Sequence, residues 1–78
     1  MVRIEFFTQP ADYAVAELRT ALEGWEYTET SVVGSKDARA TLAHLNRQAP
    51  CVVIRRDGCV YVATGHPGQL TEALRGLS

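Results

Sequence analysis

The apolar and polar residues at the start of the chain follow two different periods. In VRIEF, residues 2–6, apolar and charged residues alternate, and this period of two predicts a β-strand with one buried face. After Pro10 the apolar residues recur every three to four positions, at Val15, Leu18, Leu22 and Trp25. That spacing predicts an amphipathic helix, with Asp12 as its expected N-terminal cap and Gly24 at its end.

The same two periods continue in the middle of the chain. β-Branched and aromatic residues in YTETSVV, residues 27–33, predict a second strand. Ser35 and Asp37 are expected to begin a second helix, which Pro50 ends. The apolar stripe of this helix is Ala38, Leu42, Leu45 and Ala49.

The segment CVVIRRDGCVYVA, residues 51–63, predicts a β-hairpin. Its Asp57-Gly58 pair is typical of a two-residue turn in which both residues have positive φ. A two-residue turn would place Cys51 opposite Thr64.

A third helix is expected from Pro67, which suits the first turn of a helix. Its apolar face is Leu70, Ala73, Leu74 and Leu77. The predicted order is therefore β-α-β-α-β-β-α. The first crossover gives a parallel strand pair and the hairpin adds antiparallel strands. The predicted fold class is α/β: a four-stranded mixed sheet with three helices that cover both of its faces, in a single domain over residues 1–78.

Charge and hydropathy narrow the classes of function. The net charge is -1 and no block of like charges occurs, which argues against a nucleic-acid partner or a membrane-surface partner. No apolar run approaches the roughly 18 residues that a membrane-spanning helix needs. Charged residues interrupt the N-terminal segment, so we expect no signal peptide and a cytoplasmic location.

The two cysteines and two histidines do not have the spacing of a metal site. The positions of Cys51, Cys59, His44 and His66 show no ligand-type spacing, and we expect no bound metal. On a regular hairpin the cysteines are about five residues apart along the ladder, or roughly 17 Å. A disulfide needs Cα atoms within about 7 Å, so we expect two free thiols.

Four segments, in the same order, resemble those of one protein family. VRIEFFTQPADY aligns without a gap on a first strand and a C-x-x-C turn, and EYTETSV resembles a second strand. QAPCVVI resembles a segment that carries a cis-proline, and TGHPGQL resembles the entry to a last helix. The family is that of glutaredoxin and thioredoxin-fold domains, above all the small glutaredoxin-like redoxins that reduce ribonucleotide reductase. The resemblance implies a thioredoxin-like fold of the glutaredoxin type, with Pro50 as its cis-proline.

The resemblance also implies that the redox pair is missing. On the ungapped alignment the attacking cysteine falls on Pro10 and the resolving cysteine on Tyr13. Thiol–disulfide exchange needs an attacking thiolate and a second thiol, so neither dithiol nor monothiol chemistry is expected at this turn. We expect the Tyr13 ring to fill the space that the cysteines leave, or to contact a partner.

Glutathione is a doubtful ligand, and we expect no cofactor. Glutaredoxins bind glutathione through a basic residue before the cysteine turn and an acidic residue after a late glycine pair. Phe7 stands at about the first of these positions, and the late segment TGHP, residues 64–67, contains no acid.

Three hypotheses for function follow from the resemblance. The first is a redox-inactive module that binds a protein or an extended peptide beside Pro50, where the backbone of Ala49 can pair with the peptide as strands do. The groove residues are expected to be Pro10, Ala11, Tyr13, Ala49, Pro50, Gly65 and His66. The second is a weak thiol-disulfide oxidoreductase that uses Cys51 as its nucleophile. The third is a structural domain that dimerises through an exposed strand or helix face.

Overall fold

Four strands and three helices make up the part of the chain that the structure describes. The structure is a computed structural model, and it describes residues 1–10 and 13–77. The elements are β1 (Val2–Thr8), α1 (Tyr13–Ala21), β2 (Thr28–Ser31), α2 (Lys36–His44), β3 (Cys51–Arg56), β4 (Cys59–Thr64) and α3 (Pro67–Leu77). The predicted order β-α-β-α-β-β-α is therefore confirmed. No helix within the described ranges is long and apolar enough to cross a membrane.

The four strands form one mixed sheet in the order β2-β1-β3-β4. β1 runs parallel to β2, as predicted for the first βαβ unit, and antiparallel to β3. β3 and β4 form the antiparallel hairpin. β1 and β3 are therefore the central strands, and β2 and β4 are the edges.

Both faces of the central strands are buried. On one face, Phe6 of β1 lies among the buried leucines of the α1 segment and α3. On the other face, Phe7 packs with Ala38 and Leu42 of α2. The prediction of helices on both faces is confirmed. The prediction of a single buried face for β1 is wrong, because a central strand covered by helices on both sides is buried on both.

The apolar stripes predicted for the first and third helices face the core. The buried leucines on these stripes are Leu18, Leu22, Leu70 and Leu74. Gly24 has a φ of 87°, the left-handed conformation expected where the chain leaves the first helix. Asp12, the predicted cap, lies outside the described residues.

Helix α2 ends earlier than predicted, at His44 rather than near Pro50. Asn46 adopts a left-handed conformation with a φ of 57°. Its N–H donates to the carbonyl oxygen of Ala43 at 3.1 Å, and the Arg47 N–H donates to that of Leu42 at 2.8 Å. These two bonds form a Schellman motif, which satisfies the last carbonyl groups of the helix. The residues before β3 are thereby released from the helix.

Strand β2 is shorter than the predicted segment 27–33. It covers Thr28–Ser31, and the chain then turns toward α2. The Arg39 guanidinium donates from Nη1 to the carbonyl oxygens of Val32 at 2.8 Å and Val33 at 3.2 Å. These carbonyl groups are used by a side chain rather than by a neighbouring strand, so the strand ends before them.

The β3–β4 hairpin has the predicted turn but a different register. Asp57 and Gly58 have φ values of 53° and 85°, which confirms the turn. Ile54 pairs with Val62 and Arg55 with Val60, so Tyr61 is the extra residue of a β-bulge. The bulge shifts the ladder by one residue. Thr64 therefore pairs with Val52, and the predicted pair with Cys51 is wrong.

The N-terminal cap of α2 provides a test of helix stability. Ser35 Oγ accepts a hydrogen bond from the Ala38 N–H at 3.1 Å. We expect Ser35→Ala to lower the free energy of unfolding by about 1 kcal/mol, measured by urea denaturation, because one backbone donor loses its partner. Ser35→Asp is the control and should keep most of the stability. An equal loss in both variants would contradict the capping role.

Candidate functional site

Three chain segments meet at one end of the sheet. Phe7, near the end of β1, pairs with Cys51 at the start of β3, because these strands are antiparallel. Val52 in turn pairs with Thr64 at the end of β4. The segments after β1, before β3 and after β4 therefore share this end. They carry most of the residues predicted for the groove.

Pro50 and Gly65 approach each other closely at this end. The peptide bond between Ala49 and Pro50 is cis. A Cβ atom added to Gly65 would lie 2.6 Å from the carbonyl oxygen of Pro50. Only a residue without a side chain fits there, so glycine lets the turn after β4 lie against the residue before β3.

Thr64 fixes the turn that holds Gly65 and His66. Its side chain is buried, and its Oγ1 donates to Gln69 Oε1 at 2.6 Å. The same oxygen accepts a hydrogen bond from the His66 N–H at 3.1 Å. This role of Thr64 and Gln69 was not predicted from the sequence. The Thr64-Gly65 pair was a possible signal for this turn. A threonine hydroxyl can accept a hydrogen bond from the backbone N–H two residues later.

Among the residues that the structure describes, nothing pairs with the backbone of Ala49. Within residues 1–10 and 13–77, its N–H and C=O take part in no hydrogen bond. The early end of α2 at His44 explains this, because Ala49 belongs neither to the helix nor to β3. Half-buried Ala49 thus has a donor and an acceptor beside the end of β1 that no described residue uses.

One cavity, of about 530 Å³, lies between the end of β1 and the first turns of α1. It is lined by Thr8, Gln9, Pro10, Tyr13, Val15, Ala16, Arg19 and Ser31. The Tyr13 side chain is 93% exposed, so the prediction that its ring fills a gap is wrong. Residue 13 lies off the apolar stripe of α1, and its ring therefore borders the cavity from the solvent side.

A second cavity, of about 290 Å³, lies between the end of β1 and the C-terminal part of α2. Its lining residues are Gln9, Val32, Arg39, Leu42, Ala43, Arg47, Gln48 and Ala49. Gln9 lines both cavities and lies between them.

The predicted groove residues are divided among these features. Pro10 and Tyr13 line the first cavity and Ala49 the second, whereas Pro50, Gly65 and His66 line neither. Ala11, also predicted for the groove, lies outside the described residues.

The two thiols differ in their surroundings. Cys51 is 1% exposed and packs with Phe7 and Val53 under α2. Burial raises the pKa of the Cys51 thiol, and the Arg47 guanidinium offsets only part of that rise. Cys59 is exposed beside the hairpin turn. Both cysteines are free, as predicted. No group of acidic, histidine and cysteine side chains suited to a metal occurs among the described residues.

Two solved structures resemble the chain over most of its length, each with a TM-score of 0.73. The first is a crystal structure of a mutant of the thioredoxin-like protein BC3987; it is 28% identical, and the alignment covers 92% of this chain and 99% of that one. The second is thioredoxin from Trypanosoma brucei brucei, 14% identical, with 99% and 74% covered. No protein-family model and no curated protein matches the chain. The chain therefore has a thioredoxin-like fold, which confirms the predicted fold class.

The difference between the two thiols can be measured by alkylation. We expect iodoacetamide to modify Cys59 rapidly and Cys51 roughly 100-fold more slowly, because reaction at Cys51 needs local opening and a thiolate that burial disfavours. From pH 7 to 9 the rate at Cys51 should stay low, because burial raises the pKa of its thiol. Mass spectrometry of timed digests gives both rates. Equal rates in the folded protein would contradict the burial of Cys51.

Gly65 and Gly68 form a matched pair of glycine positions. Gly65→Ala should lower the free energy of unfolding by about 2 kcal/mol, because its Cβ would collide with the Pro50 carbonyl oxygen. Gly68 lies in α3 with open space around it, so Gly68→Ala should be neutral or stabilising by up to about 1 kcal/mol. Urea denaturation measures both. A neutral Gly65→Ala variant would disprove the close approach.

Proposed function

We propose that this thioredoxin-like protein is a redox-inactive module that binds a protein or an extended peptide beside Pro50. The observation that carries this proposal is the unpaired backbone of Ala49, within the described residues, at an end of the sheet flanked by two cavities. An extended segment that pairs with Ala49 gains main-chain hydrogen bonds that need no particular side chain on the module.

The cavities suit the side chains of such a peptide. Successive side chains of an extended segment point to opposite sides. With the peptide backbone at Ala49, one set of side chains would lie toward the cavity bordered by Arg39 and Arg47. Other side chains reach the larger cavity at Tyr13, on the far side of Gln9.

The positions of the sulfur atoms support a role without redox chemistry. Exchange requires an accessible thiolate, and the pKa of the buried Cys51 thiol is raised. Cys59 lies at the other end of the hairpin from Pro50, next to Asp57 and Gly58. This disfavours the alternative of an oxidoreductase that uses Cys51.

The alternative of a dimerisation domain has less support. Val60 and Tyr61 are partly exposed on the edge strand β4. The bulge at Tyr61 interrupts the regular spacing of the edge hydrogen-bonding groups, which disfavours pairing with a second β4.

A random octapeptide library displayed on mRNA tests the proposal. Peptides enriched on the folded protein are titrated into ¹⁵N-labelled protein. We expect amide shifts at Ala49, Cys51 and Gly65, and none at Gly58 in the hairpin turn. N-methylation of the peptide residue opposite Ala49 should weaken binding about tenfold, since one net hydrogen bond is lost. Methylation at the neighbouring residue, whose N–H points away, is the matched control.

Two results would contradict the proposal. One is a library that yields no enriched peptide. The other is a set of peptides whose shifts map to β4 or β2 instead of Ala49. Reduction of the insulin disulfides by the protein, lost in Cys51→Ser, would favour the oxidoreductase instead.

A further inference from the structure

Among the described residues, the lining of the cavity beside Ala49 contains two arginines and no acid. Arg39 comes from α2, and Arg47 follows the left-handed Asn46 that ends the helix. The other lining residues are neutral. Two positive charges therefore border the same cavity as the unpaired backbone of Ala49.

Neither arginine is neutralised within the described part of the chain. Other arginines have carboxylate partners: Arg19 lies 2.9 Å from Glu29 and Arg55 lies 3.1 Å from Glu5. Arg39 and Arg47 have no such ion pair in residues 1–10 and 13–77. Their charges are available to a ligand.

The local structure holds Arg39 in place. Its Nη1 donates to the carbonyl oxygens of Val32 and Val33, which fixes one end of the planar guanidinium. Its Nε and Nη2 groups make no hydrogen bond among the described residues. A guanidinium fixed at one end loses less freedom when it binds a carboxylate, and its fork of N–H groups matches the two carboxylate oxygens.

The backbone places Arg47 at the mouth of the same cavity. Its N–H is bound to the Leu42 carbonyl oxygen at 2.8 Å by the motif that ends α2. Only Gln48 separates it from Ala49. Arg47 and Ala49 line this cavity together, just before β3 begins at Cys51.

We propose that the peptide bound at Ala49 carries a carboxylate that binds Arg39 and Arg47 in this cavity. This inference rests on the proposed function and adds the chemical class of the partner, an acidic extended segment. Both arginines are exposed to solvent, which screens their charges. An acidic peptide should therefore bind about tenfold more tightly than its amide analogue.

The carboxylate has two possible sources: an Asp or Glu side chain, and the C-terminal carboxylate of a peptide. Octapeptides enriched from the random library separate them. In one arm every Asp and Glu is replaced by Asn or Gln; in the other the C-terminus is amidated. The modification that weakens binding identifies the source of the carboxylate. The dissociation constants are measured by fluorescence anisotropy.

Variants of the protein test which arginines bind the carboxylate. Arg47→Gln should weaken the acidic peptide about tenfold and leave the affinity of its amide analogue unchanged, because only the carboxylate loses a partner. Arg39→Gln should also weaken binding of the acidic peptide. This change removes two hydrogen bonds to carbonyl oxygens as well, so the free energy of unfolding of the variant is measured alongside. Arg56→Gln is the matched control: it removes one charge at the opposite end of β3 and should leave both affinities unchanged.

The outcomes distinguish this inference from the proposed function. Peptides that shift the Ala49 amide and bind equally well with and without carboxylates would overturn the inference and leave the proposed function intact. A library without enriched peptides would overturn both. An acidic preference reduced equally by Arg56→Gln and Arg47→Gln would reflect overall charge and would overturn the cavity as its source.

Discussion

The pairing of β1 with β3 determines both the core and the candidate site. Ile4 and Phe6 lie on the face toward α1 and α3, whereas Phe7 lies toward α2. A slip of one residue would exchange these faces and turn the charged side chains of Arg3 and Glu5 toward α1 and α3. The same register places Cys51 opposite Phe7, so the end of β1 lies beside Pro50. The site therefore depends on apolar packing some distance from it.

Hydrophobic periodicity in the sequence predicts the elements and their order, because each amphipathic stripe is a local property. It does not predict the bulge at Tyr61, since a bulge is a relation between two strands and the Asp57-Gly58 turn is compatible with either register. The early end of α2 was also missed. Asn46 was a weak signal for this boundary, because asparagine often occupies the left-handed position after a helix but does not require it.

The candidate site was predictable only in part for the same reason. That Ala49, Pro50 and Gly65 would share one groove was expected from the resemblance to thioredoxin-fold domains. The division of the groove into two cavities depends on the residue at which α2 ends. The hydrophobic periodicity did not predict that residue. Arg39 and Arg47 then become site residues because the released segment brings Ala49 beside them. These two arginines matter because of where the fold places them, and no motif in the surrounding sequence indicates that position.

Backbone pairing at Ala49 would give affinity but no choice between peptide sequences, so selectivity must come from the two flanking cavities. They differ in charge. In the larger one Arg19 is paired with Glu29, and that positive charge is already compensated. In the smaller one both arginines lack a carboxylate partner within the described residues. Under this proposal, a bound segment with an acid at one end and a neutral or aromatic residue at the other would fit in one direction only. In the proposed complex, the two cavities would thereby orient a partner that the backbone of Ala49 alone would accept in either direction.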